Sequence, residues 1–229
     1  MTFVVFDLDG TLIDSRLDLA ESVNELLAAY GAAPRPVDEV AMMVGEGARV
    51  LVRRAIEAAG LAADADADVD IDEDEALARF LDVYDRRLLI HTRPYDGIDA
   101  VVRDAATRGP LAVLTNKPQA PTHRLLEAFD LARYFRRVIG GDSGAPRKPN
   151  PAGLQALMTE VGASPAETML VGDSMIDVET ARRAGARMCV ALYGFGHARG
   201  EMVLDGTELT ARTPTDVGEV VGRFFRPGV

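Results

Sequence analysis

The stretch that decides the fold of this chain is FDLDGTL, residues 6–12. It continues a short apolar run that begins at residue 2 and is typical of a strand buried on both faces. In an open parallel sheet, ligands bind beyond the carboxyl ends of the strands. Asp7 and Asp9 would lose hydration and repel each other there unless a cation offset them. The stretch therefore predicts a cation site at a strand end, although in isolation it also fits an acidic turn.

Strand and helix patterns alternate through much of the remaining chain. Further strands are predicted at residues 111–114, 137–139, 169–171 and 187–192, and helices at residues 98–106, 122–129, 152–161 and 177–184. Alternation of this kind predicts an α/β fold, in which helices cover both faces of a Rossmann-like parallel sheet.

The region from Ser15 to about His91 breaks this alternation. It contains four helical patterns and no convincing strand, with the helices predicted at residues 17–30, 37–44, 46–59 and 73–90. We therefore expect an all-α, four-helix cap domain at residues 15–93. The core domain would then consist of residues 1–14 and 94–229.

Composition excludes several classes of function. The chain carries 25 Lys+Arg against 36 Asp+Glu, a net charge of −11, which disfavours nucleic acid and anionic lipid as partners because both need clustered cations. The single cysteine, Cys189, permits no intrachain disulfide and no thiolate zinc cluster. No signal-peptide pattern and no membrane-length apolar run is visible, so a cytoplasmic location is expected.

The acidity is concentrated in residues 64–75, which hold eight acids and no base. A solvated, self-repelling loop is the favoured interpretation. The alternative is a calcium loop, because Asp64, Asp66, Asp68 and Glu75 fall at positions 1, 3, 5 and 12 of such a loop. Position 6 is Val69, however, where the sharp turn requires glycine.

Polar residues recur where other strands end. Thr115 and Asn116 follow the strand at residues 111–114, and Asp173 follows the strand at residues 169–171, with Asp177 one helical turn further on. Lys148 stands just before a predicted helix. Each of these residues alone fits a structural role, as a cap or a surface cation. Together at one sheet edge, they predict a Mg²⁺ and phosphate site.

In this order, the motifs resemble those of the haloacid dehalogenase superfamily. The matching residues are Asp7-x-Asp9-Gly10-Thr11, Thr115, Lys148-Pro149 and Gly172-Asp173-x-x-x-Asp177. The helical insertion resembles the C1 cap of that superfamily. Finer features resemble its phosphoglycolate phosphatase group, namely Asp14-Ser15, Val44-Gly45-Glu46-Gly47, Thr115-Asn116-Lys117-Pro118 and Gly140-Gly141-Asp142. The second aspartate, Asp9, argues against a dehalogenase.

The resemblance implies a phosphatase mechanism. Asp7 would form an aspartyl-phosphate, and Asp9 would act as general acid and then as general base. The implied Mg²⁺ ligands are Asp7, the Asp9 carbonyl, Asp173 and Asp177. The implied phosphate-binding groups are Gly10, Thr115, the Asn116 amide and Lys148. Thr115 and Lys148 are therefore expected to take part in catalysis as well.

The expected substrate is a small anionic phosphoester, with 2-phosphoglycolate favoured. Within the cap, Gly45, Glu46 and Arg49 are candidates to face the substrate, and Arg49 could hold a carboxylate. A loop at residues 194–197 is expected over the site, although no role is assigned to His197.

Several alternatives remain open. The same core could serve a sugar-phosphate phosphatase, a pyrophosphatase or a phosphomutase. Outside the enzymes, it could be an inactive relative that binds phosphate or a partner. Either a monomer or a homodimer is compatible with the sequence.

Overall fold

The structure is a computed structural model, and it describes residues 1–61, 71–196 and 202–226. The strands are β1 (Phe3–Phe6), β2 (Ile13–Asp14), β3 (Arg93–Pro94), β4 (Leu111–Leu114), β5 (Arg137–Ile139), β6 (Thr168–Gly172), β7 (Arg187–Ala191) and β8 (Leu209–Ala211). The helices are α1 (Arg16–Ala29), α2 (Val37–Ala41), α3 (Ala48–Ala58), α4 (Glu73–Arg87), α5 (Ile98–Ala106), α6 (Gln119–Ala128), α7 (Ala152–Val161), α8 (Met175–Ala184) and α9 (Pro214–Phe224).

Strand β1 lies in the middle of a parallel sheet. Within the described residues the sheet has six strands in the order β5-β4-β1-β6-β7-β8. Phe6 of β1 is in register with Val113 of β4 on one side and with Val171 of β6 on the other. The chain winds outward from β1 through β4 and β5, and then returns to the other side of β1 at β6. That reversal opens a crevice at the carboxyl end of β1, where ligands bind in such sheets.

Both faces of the sheet are buried, as the apolar run at the N-terminus predicts. Val4 and Phe6 belong to one hydrophobic cluster, which includes residues of α5, α6 and α9. Phe3 and Val5 belong to a second cluster, which includes residues of α7 and α8. Because successive side chains of a strand point to opposite faces, β1 contributes to both clusters. The predicted α/β fold, with helices on both faces of a parallel sheet, is confirmed.

The sequence analysis did not predict the short strands β2, β3 and β8 or the helix α9. β8 is a three-residue edge strand that is half exposed, so it carries almost no hydrophobic pattern. α9 did carry a signal, since Thr213 and Asp216 form a capping box and Pro214 occupies the first turn.

The bounds of several predicted helices are also corrected, and α6 begins at Gln119 rather than at residue 122. α2 ends at Ala41, and α4 ends at Arg87. α3 begins at Ala48 rather than at residue 46, because Gly47, at φ 92°, cannot continue a helix.

Helices α1 to α4 lie between β2 and β3 in the chain. β2 and β3 pair antiparallel, with Ile13 opposite Pro94 and Asp14 opposite Arg93, so the chain leaves the sheet region and returns to it at adjacent points. The buried carboxylate of Asp18 in α1 reinforces this junction by accepting bonds from the backbone N–H groups of His91 and Thr92 at 3.0 and 2.7 Å. The division into a core and a cap domain stays a prediction.

Two further expectations concern a calcium loop and a membrane span. Asp64, Asp66 and Asp68 lie outside the described residues, so the structure does not test the calcium hypothesis that depends on them. Asp72, which is described, caps α4 by accepting bonds from Asp74 and Glu75 backbone N–H groups. Among the helices that the structure describes, none has the length and apolar composition needed to span a membrane.

Candidate active site

Three buried carboxylates meet at the carboxyl edge of the sheet. Asp7 follows β1, Asp173 follows the adjacent β6, and Asp177 lies in the first turn of α8. One carboxylate oxygen from each lies within 4.8 Å of the others. The parallel pairing of β1 and β6 produces this arrangement, since it brings two distant segments to the same edge. Asp9, the fourth predicted metal ligand, has its side chain outside this group and could contribute only its carbonyl.

The electrostatics of these carboxylates favour a bound cation. Burial raises the pKa of Asp7 from 3.8 to about 6, although Lys148 opposes the rise. Burial, followed by repulsion from Asp177 and Asp7, raises the pKa of Asp173 well above its ordinary value. A divalent cation would remove both penalties, and oxygen-only ligands suit Mg²⁺. The residues present therefore fit the predicted metal.

Lys148 supplies positive charge beside the same group. Its Nζ lies 2.6 Å from Asp177 Oδ1 and 2.8 Å from Asp7 Oδ1, and the side chain is buried. Burial lowers the pKa of Lys148, but Asp177 and Asp7 outweigh it and hold the pKa above its ordinary value. Ser174 fixes the other oxygen of Asp177 through N–H and Oγ bonds of 3.1 and 2.6 Å. Lys148 thus stays charged, next to the predicted nucleophile.

A glycine loop after β7 supports Asp173. The backbone N–H groups of Phe195 and Gly196 donate to Asp173 Oδ2 at 3.0 and 2.7 Å. A Cβ at Gly194 would lie 2.2 Å from the Gly10 carbonyl oxygen, and a Cβ at Gly10 would lie 1.9 Å from Asp173 Oδ2. The predicted loop over the site is therefore present up to Gly196, while His197 lies outside the described residues.

Replacing Gly194 with alanine should disturb the candidate metal site. The new methyl group would force apart Gly10 and Asp173, so we expect Mg²⁺ to bind at least about tenfold more weakly and kcat to fall by a similar factor. Titration of activity against Mg²⁺ concentration measures both. Gly222→Ala is the matched control, because a Cβ there meets nothing within 4 Å and should leave activity unchanged. Unchanged Mg²⁺ dependence in Gly194→Ala would contradict the supporting role of the loop.

Thr115 and Asn116 lie at the end of β4, as predicted, and both are buried. Thr115 Oγ1 accepts a 3.2 Å bond from the Lys117 backbone N–H, which leaves its own hydroxyl proton available for donation. The Asn116 side chain bonds to the backbone of Lys148 and of Gly45. Because β4 and β6 flank β1, Thr115 and Asn116 follow the strand on one side of Asp7, and Asp173 follows the strand on the other.

Asp9 is held by two groups, neither of which was predicted from the sequence to contact it. Ser15 Oγ donates to Asp9 Oδ1 at 2.6 Å, and Lys117 Nζ lies 3.0 and 2.9 Å from the two carboxylate oxygens. Lys117 is buried and also lies 4.6 Å from the centre of the Tyr84 ring of α4. The signal that could have identified it was its position two residues after Thr115, at the same strand end.

A small cavity of about 50 Å³ separates this edge of the sheet from the inserted helices. Core residues that line it include Asp7, Asp9, Thr115, Lys117 and Asp173. On the opposite side it is lined by Leu19, Val44, Gly45, Gly47, Ala48, Leu51, Phe80, Leu81 and Tyr84. The gap between the sheet edge and the inserted helices is therefore narrow.

Two of the three residues predicted to face the substrate are placed elsewhere. Arg49 pairs with Asp74 at 2.7 Å and Glu73 at 3.4 Å, and neither it nor Glu46 lines the cavity. Glu46 pairs with Arg54. Both side chains form ion pairs among the inserted helices, because acidic and basic partners lie nearby on α3 and α4. Of the three, only Gly45 borders the cavity.

Comparison with known proteins agrees with this geometry. Residues 1–185 match the family model for haloacid dehalogenase-like hydrolases. Phosphoglycolate phosphatase from Rhodospirillum rubrum is 44% identical over 193 residues, covering 84% of this chain and 80% of the relative. Phosphoglycolate phosphatase 1 from Pseudomonas aeruginosa is 40% identical over 198 residues, covering 86% and 71%.

Solved structures agree with the fold as well. A predicted phosphoglycolate phosphatase from Haemophilus somnus 129pt superposes with a TM-score of 0.86 at 28% identity, covering 96% of this chain and 97% of the other. With the motif residues gathered at one sheet edge, and with the family model matching most of its length, the chain belongs to the haloacid dehalogenase-like hydrolase family.

Proposed function

We propose that the protein is a Mg²⁺-dependent phosphatase whose substrate is 2-phosphoglycolate. The observation that carries the proposal is the buried group of Asp7, Asp173 and Asp177 with Lys148 beside it, at the sheet edge. The similarity to phosphoglycolate phosphatases over more than four-fifths of the chain supports the substrate.

In the proposed mechanism, the Asp7 carboxylate attacks phosphorus and the ester oxygen leaves with a proton from Asp9. Water deprotonated by Asp9 then releases phosphate from Asp7. Thr115, the Gly10 and Asn116 backbone amides and Lys148 hold the phosphoryl oxygens as charge moves onto them. When bound, Mg²⁺ would supply further positive charge at the phosphoryl group, held by Asp7, Asp173, Asp177 and the Asp9 carbonyl.

The cavity favours a compact anionic substrate over a sugar phosphate. Its wall on the inserted helices is apolar, so it offers few partners for sugar hydroxyl groups. Among the described residues that line it, Lys117 is the only cation. Lys117 therefore replaces Arg49 as the candidate to bind the substrate carboxylate.

We further propose that residues 15–93 act as a cap that opens to admit the substrate. The antiparallel pair of β2 and β3 would serve as its hinge, and the volume of the cavity supports a closed position. Closure would exclude bulk water from the aspartyl-phosphate.

A panel of phosphorylated metabolites, assayed for phosphate release with and without Mg²⁺, tests the proposed function. We expect the highest kcat/KM for 2-phosphoglycolate and no turnover after chelation. A preference for a sugar phosphate, for pyrophosphate, or for isomerisation over release would favour the corresponding alternative. Absence of release from any ester would favour the non-catalytic alternative.

Replacing Lys117 with methionine tests the carboxylate assignment. Because Lys117 also contacts Asp9, kcat should fall for every substrate. The kcat/KM for 2-phosphoglycolate should fall at least about tenfold further than that for p-nitrophenyl phosphate, which has no carboxylate. Arg53→Ala, an exposed cation paired with Glu57 on α3, is the control and should change neither. Equal losses on both substrates would remove Lys117 from substrate recognition.

A further inference from the structure

The side chain of Asn116 connects two parts of the active site that are far apart in sequence. Its Nδ2 donates to the Gly45 carbonyl oxygen and to the Lys148 carbonyl oxygen, both at 2.9 Å. Its Oδ1 accepts from the Lys148 backbone N–H, also at 2.9 Å. Gly45 belongs to the α2–α3 loop (residues 42–47), whereas Lys148 belongs to the segment before α7.

These three bonds occupy both amide protons of the side chain and one lone pair of its oxygen. Asn116 is only 4% exposed, so a lost partner would leave a buried polar group unsatisfied. The side chain is therefore committed to backbone partners. Asn116 can therefore contact phosphate only through its backbone N–H.

The two bonds to Lys148 fix the backbone from which its ammonium group extends. That group lies 2.8 Å from Asp7 and 2.6 Å from Asp177, so its position depends on where residue 148 is held. The same Nδ2 also bonds to Gly45. A Cβ at Gly47 would lie 3.2 Å from the Asn116 carbonyl oxygen, so the α2–α3 loop packs closely on this residue.

We propose that Asn116 is a positioning residue that couples the seating of the α2–α3 loop to the placement of Lys148. Movement of the loop away from the sheet removes one acceptor from the amide group that holds Lys148. The ammonium group is therefore best placed to contact the phosphoryl group when the α2–α3 loop lies against the sheet edge. This inference rests on the proposed phosphatase function and adds to it a link between the inserted helices and catalysis.

A double-mutant cycle with p-nitrophenyl phosphate tests the link to Lys148. Asn116→Ala should lower kcat about 10- to 100-fold with a smaller change in KM, since small displacements of catalytic groups have effects of this size. In a Lys148→Ala background the same substitution should change kcat less than about twofold. Multiplicative losses would instead show that Asn116 contacts the phosphoryl group independently of Lys148, and would overturn the proposal.

Hydrogen–deuterium exchange tests the link to the loop. The Lys148 amide loses its acceptor in Asn116→Ala, so a peptide containing residue 148 should exchange faster, as should one covering residues 42–52. A peptide covering α9 should be unchanged. Asn150→Ala is the matched control, because Asn150 lies in the same segment and its side-chain bond within the described residues is local, accepted from the Ala152 backbone N–H. Faster exchange at residue 148 without a change in residues 42–52 would refute the coupling.

Asn116→Asp provides a second variant in case the alanine variant folds poorly. It keeps the shape and the acceptor for the Lys148 N–H but loses both donors, so kcat should again fall at least about tenfold. Wild-type protein without activity on any ester would refute the proposed function. An active wild type, with either variant folded and within about twofold of it, would refute only the role of Asn116.

Discussion

Asp7→Asn should lower kcat by roughly four orders of magnitude or more on every phosphate ester. Asparagine keeps the size of the side chain and can still accept a bond from Lys148, but its amide is a poor nucleophile and forms no aspartyl-phosphate. Phosphate release by wild type and variant under saturating Mg²⁺ measures the effect. Rapid acid quench should trap an aspartyl-phosphate on the wild-type protein and none on the variant.

The same substitution should not weaken the fold of the metal-free protein. The pKa of Asp7 rises from 3.8 to about 6 in the folded state, so folding favours the protonated form. The stability that Asp7 contributes is complete below pH 3.8 and is lost as pH rises through 6. Asn cannot ionise, so the urea midpoint of Asp7→Asn should fall less steeply over this pH window than that of the wild type.

The matched control is Asp82→Asn, which changes an exposed carboxylate paired with Arg86 on α4. It should retain activity and the pH dependence of the wild type, since exposed ion pairs contribute little. Asp7→Asn with more than about one hundredth of wild-type kcat would contradict the nucleophile assignment. An unaltered pH profile of stability would contradict the burial penalty at Asp7.

Lys148→Ala should lower kcat about a thousandfold and also destabilise the metal-free protein. The catalytic loss follows from removing a preorganised charge beside the phosphoryl group. The stability loss follows because Asp7 and Asp177 remain buried without a counter-charge, and removing one partner of a buried ion pair costs about 3–5 kcal/mol. Added Mg²⁺ should restore part of the stability and little of the activity, because it offsets the carboxylates but cannot replace the lysine.

Urea denaturation with and without Mg²⁺, alongside kcat, separates these effects. Arg183→Ala is the control, because Arg183 donates to the carbonyl of Pro149, next to Lys148, while remaining exposed. It should change neither quantity appreciably. If Lys148→Ala matched the wild type in kcat, charge beside the phosphoryl group would not be the function of this residue.

Much of the fold and of the candidate catalytic group could be predicted from local patterns. Apolar runs identified β1, β4, β5, β6 and β7, and the parallel sheet they imply places their carboxyl ends at one edge. Asp7, Asp173 and Lys148 were therefore predictable as neighbours, although they are spread over most of the chain. β8 was not, since a three-residue edge strand carries too little pattern.

The sequence by itself determined the α/β class, the helical insertion and which residues follow the central strands. Only the tertiary structure decided how side chains pair across those segments. It joined Lys117 to Asp9, Asn116 to Gly45 and Lys148, and Gly194 to Gly10, and it turned Arg49 toward Glu73 and Asp74. The physical reason is the range of the forces. Strand and helix patterns reflect neighbours along the chain, whereas hydrogen bonds and ion pairs depend on distances of about 3 Å between segments that folding brings together.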